Sequence, residues 1–423
     1  MATLEPALPS DPLSPAAPRA AGAGPAAGPS VAARDAARAG IYVHVPFCAT
    51  RCTYCDFATV TLSRPALERW LDALERDIDR RAAAAADREW SSVFFGGGTP
   101  SVLASRHFRR VRDALGAAFR LASGAEITLE ANPESVRDPL LETWRAAGVN
   151  RLSMGVQSFD PAGLRVLGRI HDERRPAEAV ARARAHGFER LSLDLMFGYP
   201  GHEAASWERT LERTLELGPE HVSAYCFIPE PGTPLGHAVL EGRVPLPPPE
   251  AQADMYAQLD ERLEAAGYVA YETSNFARPG AEARHNLVYW LRRPYVGLGP
   301  SAHGLVGGRR WGNLRDLGPW ADALTAGASA EETAEDHDPA AAALEVVMLG
   351  LRLCSGLRPE DYAPGLWRGV HARHGAALDR AVRTGRLERD ACGWRIPRAL
   401  RFVADDVIAW IAAESERPAA ARI

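Results

Sequence analysis

Cys48, Cys52 and Cys55 stand in the run C-A-T-R-C-T-Y-C-D-F, directly after the apolar segment I-Y-V-H-V-P-F. On a loop leaving a strand, three thiols at this spacing can close round one metal centre, but they supply only three ligands. A structural zinc site takes four closed ligands, and the nearest further donor, His44, lies before the loop. An iron-sulfur cubane of the 4Fe-4S type is normally held by four Cys thiolates, so three leave one iron open to an outside ligand. Ordinary core cysteines are the third reading; the cluster fits the donor set best.

Further polar residues fall where other strands should end. Phe94-Phe95-Gly96-Gly97-Gly98-Thr99-Pro100 closes the second candidate strand in three glycines, which lets backbone amides approach a polar ligand. Glu130 begins E-A-N-P, Gln157 lies in G-V-Q-S-F, Arg169 in L-G-R-I-H, and Asp194 inside the apolar run L-S-L-D-L-M-F. One polar residue at each otherwise apolar strand end is what a ligand in a barrel mouth needs. A buried Asp194 requires a partner: a ligand hydroxyl, an ammonium, or Arg169 in a purely structural ion pair.

Apolar runs predict strands at 41–47, 92–95, 126–130, 151–156, 191–197 and 221–227. Helical periodicity predicts intervening helices at 67–81, 106–119, 139–147, 176–186 and 204–217. Such alternation builds a parallel sheet with right-handed crossovers. Six units are too few for an eight-stranded barrel, so the α/β fold expected is a partial (β/α)6 barrel with a lateral opening and its site at the C-terminal strand ends. Residues 1–38 are Ala-, Pro- and Gly-rich and read as a disordered tail, with the barrel at 39–230. A linker and accessory α+β region is expected at 231–335, starting in a proline-rich excursion at 229–249, then a helix at 250–266 and a strand-like 268–276. The last segment, 336–423, alternates helices with a short hairpin in a winged-helix-like pattern. Its acidic last helix, with Asp405 and Asp406, favours protein packing over DNA binding.

A formal net charge of -5 gives no bulk attraction to nucleic acid or anionic membranes. All 49 basic residues are arginine, which excludes a lysine Schiff base and a P-loop lysine. Three clustered and three scattered cysteines do not form a disulfide framework and suit a reducing cytoplasm. No apolar run reaches the ~20 residues of a membrane helix, and no secretory signal pattern opens the chain.

The cysteine loop, G-G-G-T-P, E-A-N-P, R-L-S-M-G-V-Q-S-F, L-G-R-I-H and D-L-M-F-G-Y-P-G together resemble the radical S-adenosylmethionine (SAM) family, in order over about 41–305. More narrowly they resemble the branch that holds oxygen-independent coproporphyrinogen III oxidase and the haem chaperones. The resemblance implies a 4Fe-4S cluster on Cys48, Cys52 and Cys55, its open iron chelated by the methionine moiety of SAM. It implies SAM contacts at Tyr42, Tyr54, Gly97, Gly98, Thr99 and Glu130, and at Gln157, Arg169 and Asp194. Phe57 stands where the oxidase pattern has a further cysteine, and Arg284-His285-Asn286-Leu287-Val288-Tyr289-Trp290 matches the chaperone pattern H-N-x-x-Y-W. Through that motif the resemblance implies haem binding at His285, with His303 as a second candidate; a structural histidine is the alternative at both. The expected function is therefore haem binding and transfer to acceptors such as respiratory enzymes at a membrane. A homodimer is left open and no nucleic-acid partner is expected. The alternative is the oxidase reaction, radical decarboxylation of coproporphyrinogen III.

Overall fold

The computed structural model describes residues 39–417 apart from 84 and 337. The tail expected over 1–38 lies outside the described residues. Six parallel strands appear in the expected order: β1 (Gly40–Val45), β2 (Trp90–Gly97), β3 (Leu121–Ala131), β4 (Arg151–Gln157), β5 (Arg190–Phe197) and β6 (His221–Cys226).

Each pairs with its neighbour in parallel, from Ile41 beside Val93 to Phe197 beside Cys226. Alternate residues face opposite ways. Ile41, Val43, Val45, Leu129, Leu152, Leu193 and Leu195 are fully buried in the layer beneath the helices. The other face is polar: Tyr42, His44, Glu130, Ser153 and Asp194 meet across the interior.

The covering helices are α1 (Arg64–Ala83), α2 (Ser105–Ala118), α3 (Asp138–Ala146), the short α4 (Pro161–Val166), α5 (Arg175–Ala185) and α6 (Ala204–Leu217). In α1 the apolar residues Leu67, Trp70, Leu71, Leu74 and Ile78 recur at helical spacing and are buried. Burying each such side chain contributes about 1.5–3 kcal/mol. Trp70 meets Phe47 edge to face, with centroids 5.7 Å apart, so this helix also fixes the start of the cysteine loop.

The proline-rich run holds α7 (Pro234–Leu240), capped by Thr233, and opens α8 (Pro249–Ala265) on prolines suited to a helix start. The strand-like 268–276 resolves into two short antiparallel strands, β7 (Val269–Ala270) and β8 (Asn275–Ala277), which extend the sheet beyond β6. After α9 (Arg284–Trp290), β9 (Tyr295–Leu298) returns to pair in parallel with the opposite edge, on β1. Antiparallel strands β10 (His303–Val306), β11 (Arg309–Asn313) and β12 (Glu331–Asp336) continue from β9, with α10 (Leu317–Thr325) against α1. The whole sheet runs β12-β11-β10-β9-β1-β2-β3-β4-β5-β6-β8-β7.

The last segment packs α11 (Pro339–Gly350), α12 (Pro364–Arg383) and α13 (Ala404–Glu416) with the hairpin β13 (Glu388–Arg389) and β14 (Trp394–Arg395). Val346, Leu378, Trp394 and Ile411 give it an apolar core of its own, and Arg398 ties it to Asp260 and Glu264 of α8. Among the described residues no helix is long and apolar enough to cross a membrane.

Candidate functional site

The cysteine loop leaves β1 at its C-terminal end and is closed at its base by a parallel pairing of Phe47 and Cys48 with Val60 and Thr61. Three anchors hold it. His44 Nε2 donates to Ala58 O at 2.9 Å, which fixes its tautomer, so Nδ1 accepts from Tyr42 OH at 3.0 Å. Burial pushes the His44 pKa down to about 4, so this imidazole stays neutral. Thr53 Oγ1 donates to Val166 O at 2.7 Å, and Arg315 reaches from beyond β11 to Asp56 O. His44, the nearest candidate for a fourth ligand, is thus turned to loop backbone.

All six cysteines are free thiols, and the three in the loop are half-buried. Burial is the main cause that raises the Cys48 thiol and pushes Cys55 up to about 11; each also feels its neighbouring cysteines. Among the described residues no three His, Cys, Asp or Glu side chains converge as a metal site. The thiols share a loop but do not form a closed ligand group. Three half-buried thiols on one loop, with His44 turned to loop backbone, fit a cluster whose last iron is ligated from outside; binding would release their protons.

The glycine run presses on this loop. Gly98 N–H donates to Val45 O at 2.8 Å and Thr99 N–H to Phe47 O at 2.7 Å. A Cβ on Gly98 would lie 2.7–2.9 Å from backbone atoms of Val45 and Phe47, and one on Gly97, at φ 105°, would lie 2.5 Å from the His44 ring. Thr99 Oγ1 donates to Cys48 Sγ at 3.5 Å and accepts from Asn132 Nδ2 at 3.4 Å. Asn132 Oδ1 accepts from Arg169 Nη2 at 2.6 Å, and Arg169 Nη1 donates to Cys52 Sγ at 3.4 Å. Thr99, Asn132 and Arg169 therefore link two of the three thiols across the mouth. Asn132, two residues after Glu130 in E-A-N-P, joins the site through these contacts, which the sequence does not signal.

Glu130 accepts from Gly97 N–H at 3.2 Å. Burial, with Asp194 nearby, pushes its pKa up to about 8, against that one amide. Among the described residues no cation pairs with it, so this carboxyl fits a site that receives positive charge.

Asp194 accepts from Ser153 Oγ at 3.0 and 2.9 Å and from Ser192 Oγ at 3.2 Å; burial raises its pKa while these hydroxyls lower it. The structural pairing of Arg169 with Asp194 is not formed, because Arg169 is spent on Asn132, Cys52 and Gly155 O. Gln157 has a positive φ of 66° beside a register shift in β4, a strained conformation of the kind that re-aims a strand-end side chain. Tyr42 is half-buried and stacks on Phe94 with centroids 6.2 Å apart, and Tyr54 packs against Leu167, Tyr199 and Phe227.

A model of the radical SAM superfamily matches residues 42–214. Heme chaperone HemW of Mycobacterium tuberculosis is 39% identical over 358 residues, spanning 82% of this chain and 91% of that protein. Heme chaperone HemW of Bacillus subtilis is 35% identical over 330 residues, 78% of this chain and 87% of that protein. The chain belongs to the HemW family of radical SAM proteins. The solved structure of coproporphyrinogen III oxidase (HemN) from Escherichia coli, a radical SAM enzyme, superposes with a TM-score of 0.76 at 25% identity, covering 88% of this chain and 89% of that one.

Against this HemW-family background the H-N-L-V-Y-W segment takes an unexpected place. It forms α9 at the N-terminal end of the barrel strands, away from the cysteines. His285 is 1% exposed. Its Nδ1 pairs with Ser92 Oγ at 2.9 Å and its Nε2 with Tyr289 OH at 2.8 Å, while the ring stacks on Phe94 at 5.2 Å. Burial lowers its pKa to about 3. Ser92 and Gly97 are five residues apart on β2, roughly 16 Å at strand rise, so His285 and the cysteine loop stand at opposite ends of one strand. Trp290 lies under the Arg352 guanidinium, 5.6 Å from its ring centroid. His303 is exposed on β10, its ring beside Gly312. Phe57, in the cysteine loop, is 58% exposed.

Proposed function

We propose that this chain binds haem and hands it to haem-requiring proteins, respiratory enzymes among them, in a reducing cytoplasm, with a 4Fe-4S cluster and SAM at the C-terminal mouth of the barrel. Cys48, Cys52 and Cys55 would hold the cluster. Gly97, Gly98, Thr99 and Glu130 would receive the charged methionine end of SAM, with Tyr42, Tyr54, Gln157, Arg169 and Asp194 lining the rest. When bound, this pair supplies one-electron chemistry. The protein's own part is to position: Thr99 and Arg169 orient sulfur, Glu130 gives up a proton as positive charge arrives, and His44 keeps the loop seated.

Haem would be ligated by His285. Its lowered pKa keeps the imidazole neutral, the form that binds iron. Nε2 must exchange Tyr289 OH for the metal, at a cost on the order of one hydrogen bond, about 1 kcal/mol, and α9 must open to admit it. The reading is supported by the names of the HemW relatives, and the observation that carries it is the pairing of H-N-L-V-Y-W with Phe57 at the position of the oxidase's further cysteine. No nucleic-acid partner is proposed, and a homodimer is compatible with this scheme.

The structural likeness to HemN favours one rival, coproporphyrinogen decarboxylation. Anaerobic incubation of reconstituted protein with coproporphyrinogen III, SAM and a reductant separates the two. We expect no protoporphyrinogen beside an active oxidase control; sustained turnover would overturn the chaperone reading.

A further inference from the structure

At the N-terminal end of the barrel a cavity of about 230 Å³ opens beside α9, lined among others by Arg145, Arg190, Arg284, Glu126, Glu189 and Asn150. Each guanidinium is steadied by a main-chain carbonyl. Arg190 Nη1 donates to Gly280 O at 2.9 Å, Arg284 Nη1 to Gly124 O at 3.1 Å and Arg145 Nη1 to Val149 O at 3.4 Å. Among the described residues none of the three pairs with a carboxylate, whereas Arg81, Arg110 and Arg184 do. Of the two carboxylates present, Glu126 is already engaged by His285 N–H at 3.0 Å and by Arg151 at 3.7 Å. Among the described residues that line the cavity, only Glu189 is left to oppose the arginines. Asn150 is committed to backbone at Ile127 and Ala125.

Among the described residues each of these guanidiniums donates one hydrogen bond, Arg145 also lying over the Phe188 ring at 5.3 Å, and the remaining N–H groups suit a small oxyanion, carboxylate or phosphate. The volume holds several waters at ~30 Å³ apiece but falls short of the ~300 Å³ at which pockets for larger organic ligands begin, so it takes acidic end groups and not a macrocycle. Glu126 lines the cavity and also binds the His285 amide, which places the pocket beside the proposed axial ligand. We propose that this cavity is an anion site that takes the propionate carboxylates of haem, the macrocycle remaining outside it. The proposal rests on the haem reading above.

The test compares haem with haem dimethyl ester by absorbance titration of the anaerobically reconstituted full chain. Wild type should bind the ester at least about tenfold more weakly, the loss of charge-assisted hydrogen bonds. Arg190→Gln with Arg284→Gln should bring haem down to the ester's affinity, and millimolar inorganic phosphate should compete with haem in wild type but not in that variant. Equal binding of acid and ester, with binding still lost in His285→Ala, would overturn the anion site and leave the haem reading standing. If acid and ester bind equally while phosphate alone binds through the arginines, the site serves free phosphate and the propionate assignment falls. Binding of neither porphyrin would remove both. The ester arm needs no substitution, so it decides even if the arginine variants fold poorly.

Discussion

Glu130 is the most informative single side chain, because its environment disfavours the charge it would need. Its folded pKa of about 8 lies above the ordinary carboxylate value of 4.5. The folded state therefore holds its proton where the unfolded state has lost it; that contribution is complete below about 4.5 and is lost as pH rises through about 8. We expect Glu130→Gln to stabilise the SAM-free protein by more at pH 8 than at pH 6, the gain differing by ~1–3 kcal/mol between the two, measured by denaturant melts at both pH values. The same change should weaken SAM binding. A uniform loss of stability at both pH values would show that Glu130 already has a cation partner. Residue types were legible in the sequence, since each strand end carried one polar residue. Their partners were not: Asp194 found serines on β4 and β5 where Arg169 was considered, and nothing in L-G-R-I-H marks Asn132 as the group between Arg169 and Thr99.

Among the elements, the glycine run and the cysteine loop form one unit, tied by Gly98 and Thr99 amides to Val45 and Phe47. Because the atoms in the way of a Gly98 Cβ are backbone, they cannot swing aside as a side chain would. Gly98→Ala should cost ~1–3 kcal/mol as overpacking and lower iron and sulfide content after anaerobic reconstitution. Gly116→Ala, within α2 and facing only the end of Arg112, is the control and should be neutral or stabilising. Undiminished cluster content in Gly98→Ala would mean the loop does not depend on this contact. The six barrel strands were readable because each is a near-continuous apolar run. β9 was not, since Y-V-G-L is four residues in a glycine-rich stretch and becomes a strand only by pairing with β1, which lies more than 250 residues earlier.

For the whole molecule, the barrel separates two groups of polar side chains. The thiols, Glu130 and Arg169 gather at the C-terminal strand ends, while His285, Tyr289 and three arginines gather at the other. The sequence motif fixed the residue types of α9 but not which end it closes, because that depends on the Ser92 and Glu126 contacts made at long range. Burial of His285 with both ring nitrogens engaged means that haem ligation requires α9 to open. The most direct measurement is a haem titration of the anaerobically reconstituted protein by absorbance, wild type against His285→Ala. Near-stoichiometric binding with a histidine-ligated spectrum that is lost or shifted in His285→Ala is the expected result. Specific haem binding that is unchanged in His285→Ala would contradict the ligand assignment, and no specific binding in wild type would contradict the proposed function itself.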